Sequence, residues 1–187
     1  MEERTIRLIF VAALALTWVL PANAAQVDDA KAIALAKPAE LVVSNDIPQA
    51  ERDVILKPVD AFYGFWNNGS ETLLRQALAP DFKDQTLPPG RPQGPEGPMA
   101  ASKTFLKAVP DLTATVVQRI VVADRVVSHI RFSGHFTGTF QDLSGKGQPI
   151  DFIATDILRV QNGKITDNWH IEDNLTFMKQ IGLMHDH

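Results

Sequence analysis

Asp156, His170 and Asp173 place two carboxylates and an imidazole in the one stretch of this chain whose pairing can be read from its residues alone. A carboxylate on an apolar sheet face is costly unless it is hydrogen-bonded or has a task. In an apolar cavity, desolvation raises a carboxyl pKa, which suits proton transfer near neutral pH. A histidine beside it can shuttle the proton or pair with the acid. The chemistry these types suggest is acid/base catalysis. The bland alternatives are a structural Asp156 accepting from Trp169 or Tyr63, an exposed His170, and an Asp173 that caps the next helix.

These residues lie on two alternating runs flanking Asn162-Gly163, a strong hairpin signal. A two-residue turn there predicts Val160 opposite Ile165, Leu158 opposite Asp167 and Asp156 opposite Trp169. The same count sets Ala154 opposite Ile171 and Phe152 opposite Asp173. All would share one mostly apolar face. Plain alternation then puts His170 on the other face. It enters the same cavity as Asp156 only if a β-bulge intervenes between Asp167 and His170.

Upstream, Leu56, Val59, Phe62, Tyr63 and Trp66 recur at helical spacing, with Pro58 starting or kinking the helix and Asn67-Asn68-Gly69 ending it. Ser70 caps a second helix that closes before Pro80. Residues 84–97 are rich in proline and glycine and read as a long ordered loop, a lid or a spacer. Gly97-Pro98 opens a third helix, ended by Pro110. Strands are expected over 112–122 and 126–136, joined by Ala123-Asp124-Arg125, and a last helix over 175–181. Helices first and antiparallel strands afterwards indicate an α+β domain.

The mature chain is long enough for one domain with a real core. Arg4, Arg7, the apolar run from Leu8 to Leu20 and Ala22-Asn23-Ala24 predict a signal peptide over 1–24, cleaved before Ala25. The expected product is periplasmic or secreted, with no stable membrane span. Residues 25–47 read as a leader, with a short helix over 28–37. The domain spans 48–184, and 185–187 form a tail. A net charge of −4 without a basic run argues against nucleic acid. Zero cysteines exclude disulfides, thiolate metal sites and a cysteine nucleophile. No serine-nucleophile elbow, phosphate loop or dinucleotide fingerprint is present.

Several short motifs fall in a telling order. They are Phe65-Trp66-Asn67-Asn68-Gly69, Ala79-Pro80-Asp81-Phe82, Gly94-Pro95-Glu96-Gly97 and Val109-Pro110-Asp111-Leu112. Gly134-His135-Phe136-Thr137-Gly138, Asp156-Ile157-Leu158-Arg159, Asn162-Gly163-Lys164-Ile165 and Lys179-Gln180-Ile181-Gly182 follow. From about Pro58 to Leu183 the chain resembles the SnoaL-like polyketide cyclases and ester cyclases of the nuclear transport factor two-like superfamily.

The resemblance implies a cone-shaped, curved mixed sheet around a pocket closed by helices. It implies acid/base catalysis without metal or organic cofactor. The family's catalytic aspartate position falls on His170, and a partner position, histidine in some cyclases, falls on Asp156. The two chemical types have exchanged places. Where the family has histidine in a Gly-Thr-His-Thr-Gly stretch, this chain has Phe136, with His135 one place earlier; the pocket becomes more apolar.

The expected site is therefore Asp156 and His170, with Tyr63, Phe62, Trp66, Phe132, Phe136, Trp169 and Asp173 around a small apolar carbonyl compound. Tyr63 or Trp169 would stabilise a developing oxyanion. The competing readings are a ligand-binding module without catalysis and a structural domain that binds a partner. His129, Arg131, Ser133 and His135 form a stripe expected on the outer sheet face, where a homodimer would form. A three-histidine metal site would need both sheet faces at once.

Overall fold

The computed structural model describes residues 27–184. The expected signal segment, its cleavage site, and His185 and His187 lie outside the described residues. Helix α2 (Gln49–Asn68) is the longest helix among the described residues and buries Ile55, Val59, Phe62, Tyr63 and Phe65. It begins seven residues before the expected Leu56. Pro58 therefore lies inside it, at a cost of about 3 kcal/mol for an isolated helix, carried here by the buried face. Gly69 ends α2 in the left-handed conformation. Ser70 caps α3 (Glu71–Ala77) by accepting from Leu73 N at 3.3 Å.

Strand β2 (Leu78–Asp84) follows, between the second helix and the proline-rich loop, where no strand was expected. It is an edge strand, which tolerates Pro80. Beyond the loop come α4 (Glu96–Ala108), β3 (Thr113–Val122) and β4 (Arg125–Phe136). A small hairpin, β5 (Thr139–Phe140) and β6 (Leu143–Ser144), precedes β7 (Gln148–Gln161), β8 (Lys164–Glu172) and α5 (Asn174–Gln180).

Six strands form one sheet in the order β1-β3-β4-β7-β8-β2, where β1 is Glu40–Val43. The central pairs are antiparallel, and β1 and β2 run parallel to their neighbours at the two edges. Bulges interrupt β3–β4 and β7–β8, and such extra residues bend a sheet. The sheet curves into a cone around α2, the NTF2-like α+β architecture. Inside, Phe105, Phe132, Phe152 and Phe177 form a cluster, with ring centroids 5.1 Å apart for Phe132–Phe152 and 5.2 Å for Phe105–Phe177.

The segment expected as a leader is built into this body. Helix α1 (Asp29–Leu35) buries Ala32, and β1 pairs with β3. The hinge of this attachment is the Asn pair that reads in sequence only as a helix stop. Asn67 Nδ2 donates to Ala32 O at 3.1 Å and to Ala114 O at 3.2 Å, while its Oδ1 accepts from Ala114 N at 2.7 Å. Asn68 Nδ2 donates to Val27 O and to Asp29 Oδ1. Buried amides must be paired, and both Nδ2 groups take part of their pairing from the segment that precedes the domain.

Candidate active site

Asn162 and Gly163 both take positive φ, 52° and 70°, as a type I′ turn requires. Val160 pairs with Ile165 as expected. The next pair is Arg159 with Asp167, so Thr166 is an extra residue on β8. The count from sequence is corrected by one from that point. Leu158 faces Asn168, Ile157 faces Trp169, Asp156 faces His170, and Ala154 faces Glu172. The bulge lies one step earlier than the expected interval, but it does what the site needs. It turns Asn168, His170 and Glu172 inward beside Asp156 and turns Trp169 out.

The result is a row of polar side chains across an apolar interior. The register runs Arg119 to Ser128 to Asp156 to His170 over four neighbouring strands. Asp156 is 1% exposed and accepts three hydrogen bonds. Tyr63 Oη donates to Oδ2 at 2.9 Å, Asn168 Nδ2 to Oδ1 at 2.8 Å, and His170 Nδ1 lies 2.7 Å from Oδ1. On its other side, His170 Nε2 lies 3.4 Å from Glu172 Oε2. Burial pulls the imidazole pKa down, but hydrogen bonds and charge attraction from Asp156 and Glu172 outweigh it and push His170 from 6.5 to about 10. His170 is therefore an imidazolium at neutral pH. Burial and the Asp156 charge raise Tyr63 well above its ordinary value, so it stays a protonated donor.

Behind Tyr63, the buried Arg119 closes the row. Its guanidinium lies 5.4 Å from the Tyr63 ring centroid, and Nη1 donates to Asp60 Oδ1 at 2.5 Å. A cation on this tyrosine's face also holds the ring.

Two connected spaces meet at His170. The inner one, about 30 Å³, is lined by Phe62, Trp66, Phe82, Phe105, Ile130, Phe132, Asp156, Asn168, His170 and Glu172, among others. The outer groove, about 380 Å³, shares Arg91, Ala101, Phe105, His170 and Glu172 with it and is walled by residues 88–92 of the proline-rich loop. The inner space holds a water or one substrate atom group; the groove is of small-ligand size.

Asp156, His170, Phe62, Trp66 and Phe132 are thus brought together, and Tyr63 supports them from behind. Four expected pocket residues are corrected. Tyr63 is fully buried, lines neither space and gives its hydroxyl to Asp156 rather than to a substrate oxygen. Trp169 lies on the outer face between two guanidinium groups, 5.7 Å from Arg125 and 5.6 Å from Arg159. Phe136 points inward as expected but is fully buried in the core, away from both spaces. Asp173 caps α5, accepting from Thr176 N at 3.0 Å.

The sequence reading missed Glu172, Asn168, Arg91 and Phe105. For Asn168 and Glu172 a signal existed, since residues two apart on a strand share a face with His170. Among the described residues, no group of three or more histidines and carboxylates is disposed to hold a metal ion.

A curved sheet with helices packed against it is the NTF2-like fold, and here the Asp156–His170 pair lies in its wall. The profile of the SnoaL-like polyketide cyclases matches residues 58–181, and the chain belongs to that family. A protein of Bacillus cereus ATCC 10987 named as a polyketide cyclase is 39% identical and superposes with a TM-score of 0.72, over 81% of this chain and 95% of that one. TsrD from Streptomyces laurentii is 25% identical, with a TM-score of 0.64 over 71% of this chain and 98% of its own. IdmH from Streptomyces antibioticus, also named as a polyketide cyclase, is 27% identical, with a TM-score of 0.62 over 68% and 98%. No curated protein matches the sequence. Among the described residues no helix is long and apolar enough to cross a membrane.

Proposed function

We propose that this protein is an exported, cofactor-independent cyclase or isomerase that enolises a small, largely apolar carbonyl compound. The observation that carries this reading is the 2.7 Å Asp156–His170 contact at the junction of groove and inner space. His170 is the more exposed member, with 24% side-chain exposure against 2% for Asp156. It is the group that meets substrate. The imidazolium donates its proton to the carbonyl oxygen as the enol forms, and Glu172, lining both spaces, takes the α-proton. Asp156 fixes the ring through Nδ1. The buried Asn168 Oδ1, which has no partner, accepts the enol hydroxyl.

The test is a screen of β-keto esters and cyclic enones in D2O, with NMR detection of protein-dependent α-deuteration. No exchange above buffer across the panel, alongside tight binding of any of its members, would favour a binding module instead.

Export rests on the N-terminal pattern alone. N-terminal sequencing of the secreted protein is expected to start at Ala25; a full-length, membrane-bound product would refute it.

We also propose a homodimer through the outer sheet face. The stripe expected there is largely satisfied within the chain: His129 contacts Thr155 Oγ1, Arg131 pairs with Asp151, and His135 pairs with Asp111. The apolar residues beside it are Ile153, Ile157 and Ile171, the last 76% exposed. Light scattering at micromolar concentration is expected to show a dimer, weakened by Ile157→Asp more than by Arg131→Glu. A monomeric wild type would end this idea.

A further inference from the structure

Among the described residues, the Arg91 side chain in the groove has no ion-pair or hydrogen-bond partner. Arg91 lines both the outer groove and the inner space. Asp156 and Glu172 are committed to His170, and Asp84 Oδ1 accepts from Thr86 N and Oγ1. No hydrogen bond or ion pair engages the Arg91 guanidinium among the described residues. A planar cation with five donors is the side chain best matched to a carboxylate.

The loop that carries Arg91 is built to hold it there. Arg91 N donates to Pro88 O at 3.1 Å, with Pro89 and Gly90 at the turn centre and Gly90 at φ 81°. Proline followed by a positive-φ glycine is the chemistry of a type II turn. The loop's start is tied to the catalytic strand: Gln85 N donates to Asn168 O at 2.8 Å, and His170 N donates to Thr86 Oγ1 at 2.8 Å. Its end is stapled to its start, because Gln93 Oε1 accepts from Asp84 N at 2.7 Å and Gln93 Nε2 donates to Asp84 O at 3.0 Å. The Arg91 stem packs over Gly97, where a Cβ would meet its Cγ and Cδ at 3.7 Å. The loop is thus neither a bare spacer nor a detached lid.

We infer that Arg91 is a substrate-anchoring residue, and that the substrate is a carbonyl compound bearing a carboxylate, held by Arg91 while its apolar body lies on Phe105 and its carbonyl meets His170. This rests on the reading of the groove as the substrate site, and it narrows that reading from a neutral compound to a keto acid.

The test measures binding and needs no turnover. Calorimetric titration of the wild-type protein with 2-naphthoate, and with its methyl ester as the uncharged comparator, is expected to show tighter binding of the carboxylate. Arg91→Met should weaken the carboxylate about tenfold or more and leave the ester unchanged, since only the carboxylate makes a charge-assisted hydrogen bond. Arg91→Lys should recover part of the loss. Arg91 is on a surface loop, and a thermal melt checks that each variant is folded. Equal affinity for acid and ester, equal carboxylate binding by Arg91→Met, or no carboxylate binding at millimolar concentration would each overturn the inference. Loss of α-deuteration in His170→Gln together with unchanged carboxylate binding in Arg91→Met would sink the anchor while leaving the acid/base reading standing.

Discussion

Replacing His170 with glutamine is expected to lower turnover by about 10²–10⁴-fold, the usual loss when a positioned proton carrier is removed. Glutamine keeps a hydrogen-bonding amide near Asp156 but cannot exchange a proton near neutral pH. Glu172→Gln should cause a loss of similar order if Glu172 takes the α-proton. Asp156→Asn separates a chemical role from a structural one. It removes one of the two charges that keep His170 an imidazolium, so the pH–rate profile should move to lower pH as well as fall in height. A purely structural Asp156 would show a lower melting temperature and an unshifted profile. The comparison uses the substrate identified by α-deuteration, and unchanged turnover in both Asp156→Asn and His170→Gln would rule out the mechanism.

His170 is also expected to make stability pH-dependent in an unusual window. Its folded-state pKa of about 10 lies above the ordinary 6.5. The folded state therefore binds the proton more tightly than the unfolded state. The resulting stabilisation is fully present below about pH 6.5 and declines as pH rises, vanishing above the folded value near 10. The melting temperature of the wild type relative to His170→Gln should fall steadily between those limits. NMR titration of the imidazole should show no transition near 6.5 in the wild type, and a transition moved downward in Asp156→Asn. An imidazole that titrates near 6.5 in the intact protein would contradict the Asp156–His170–Glu172 clasp.

The two experiments fail independently. A high histidine pKa without turnover would describe a structural ion pair in a binding module. Turnover with an ordinary pKa would leave acid/base chemistry in place but make neutral imidazole the carrier.

The sequence by itself determined what depends on near neighbours and on alternation. Asn and Gly are among the few residue types that adopt two successive positive φ values cheaply, so the turn and its first pair were legible. Ser70 caps within the reach of its own side chain and Gly69 ends α2 through its own backbone freedom, so both roles follow from local chemistry. The inner faces of β4 and β7 followed from their period of two, which placed Ile130, Phe132 and Asp156 inside.

Only the tertiary structure decided the residue that makes the site. Thr166 becomes a bulge where β8 is gripped from both sides, by β7 and by β2, whose own register with β8 also shifts between Leu78 and Lys83. No local residue preference specifies that extra position; it shows only in how β8 pairs with its two neighbours. That single slip moved His170 and Glu172 into the pocket and Trp169 out of it. The same is true of Arg119, Asn67 and Arg91. Arg119 reaches Asp60, Asn67 reaches Ala32 and Ala114, and Arg91 faces the space beside His170 and Glu172; a charge or amide in a sequence carries no mark of which distant segment will enclose it.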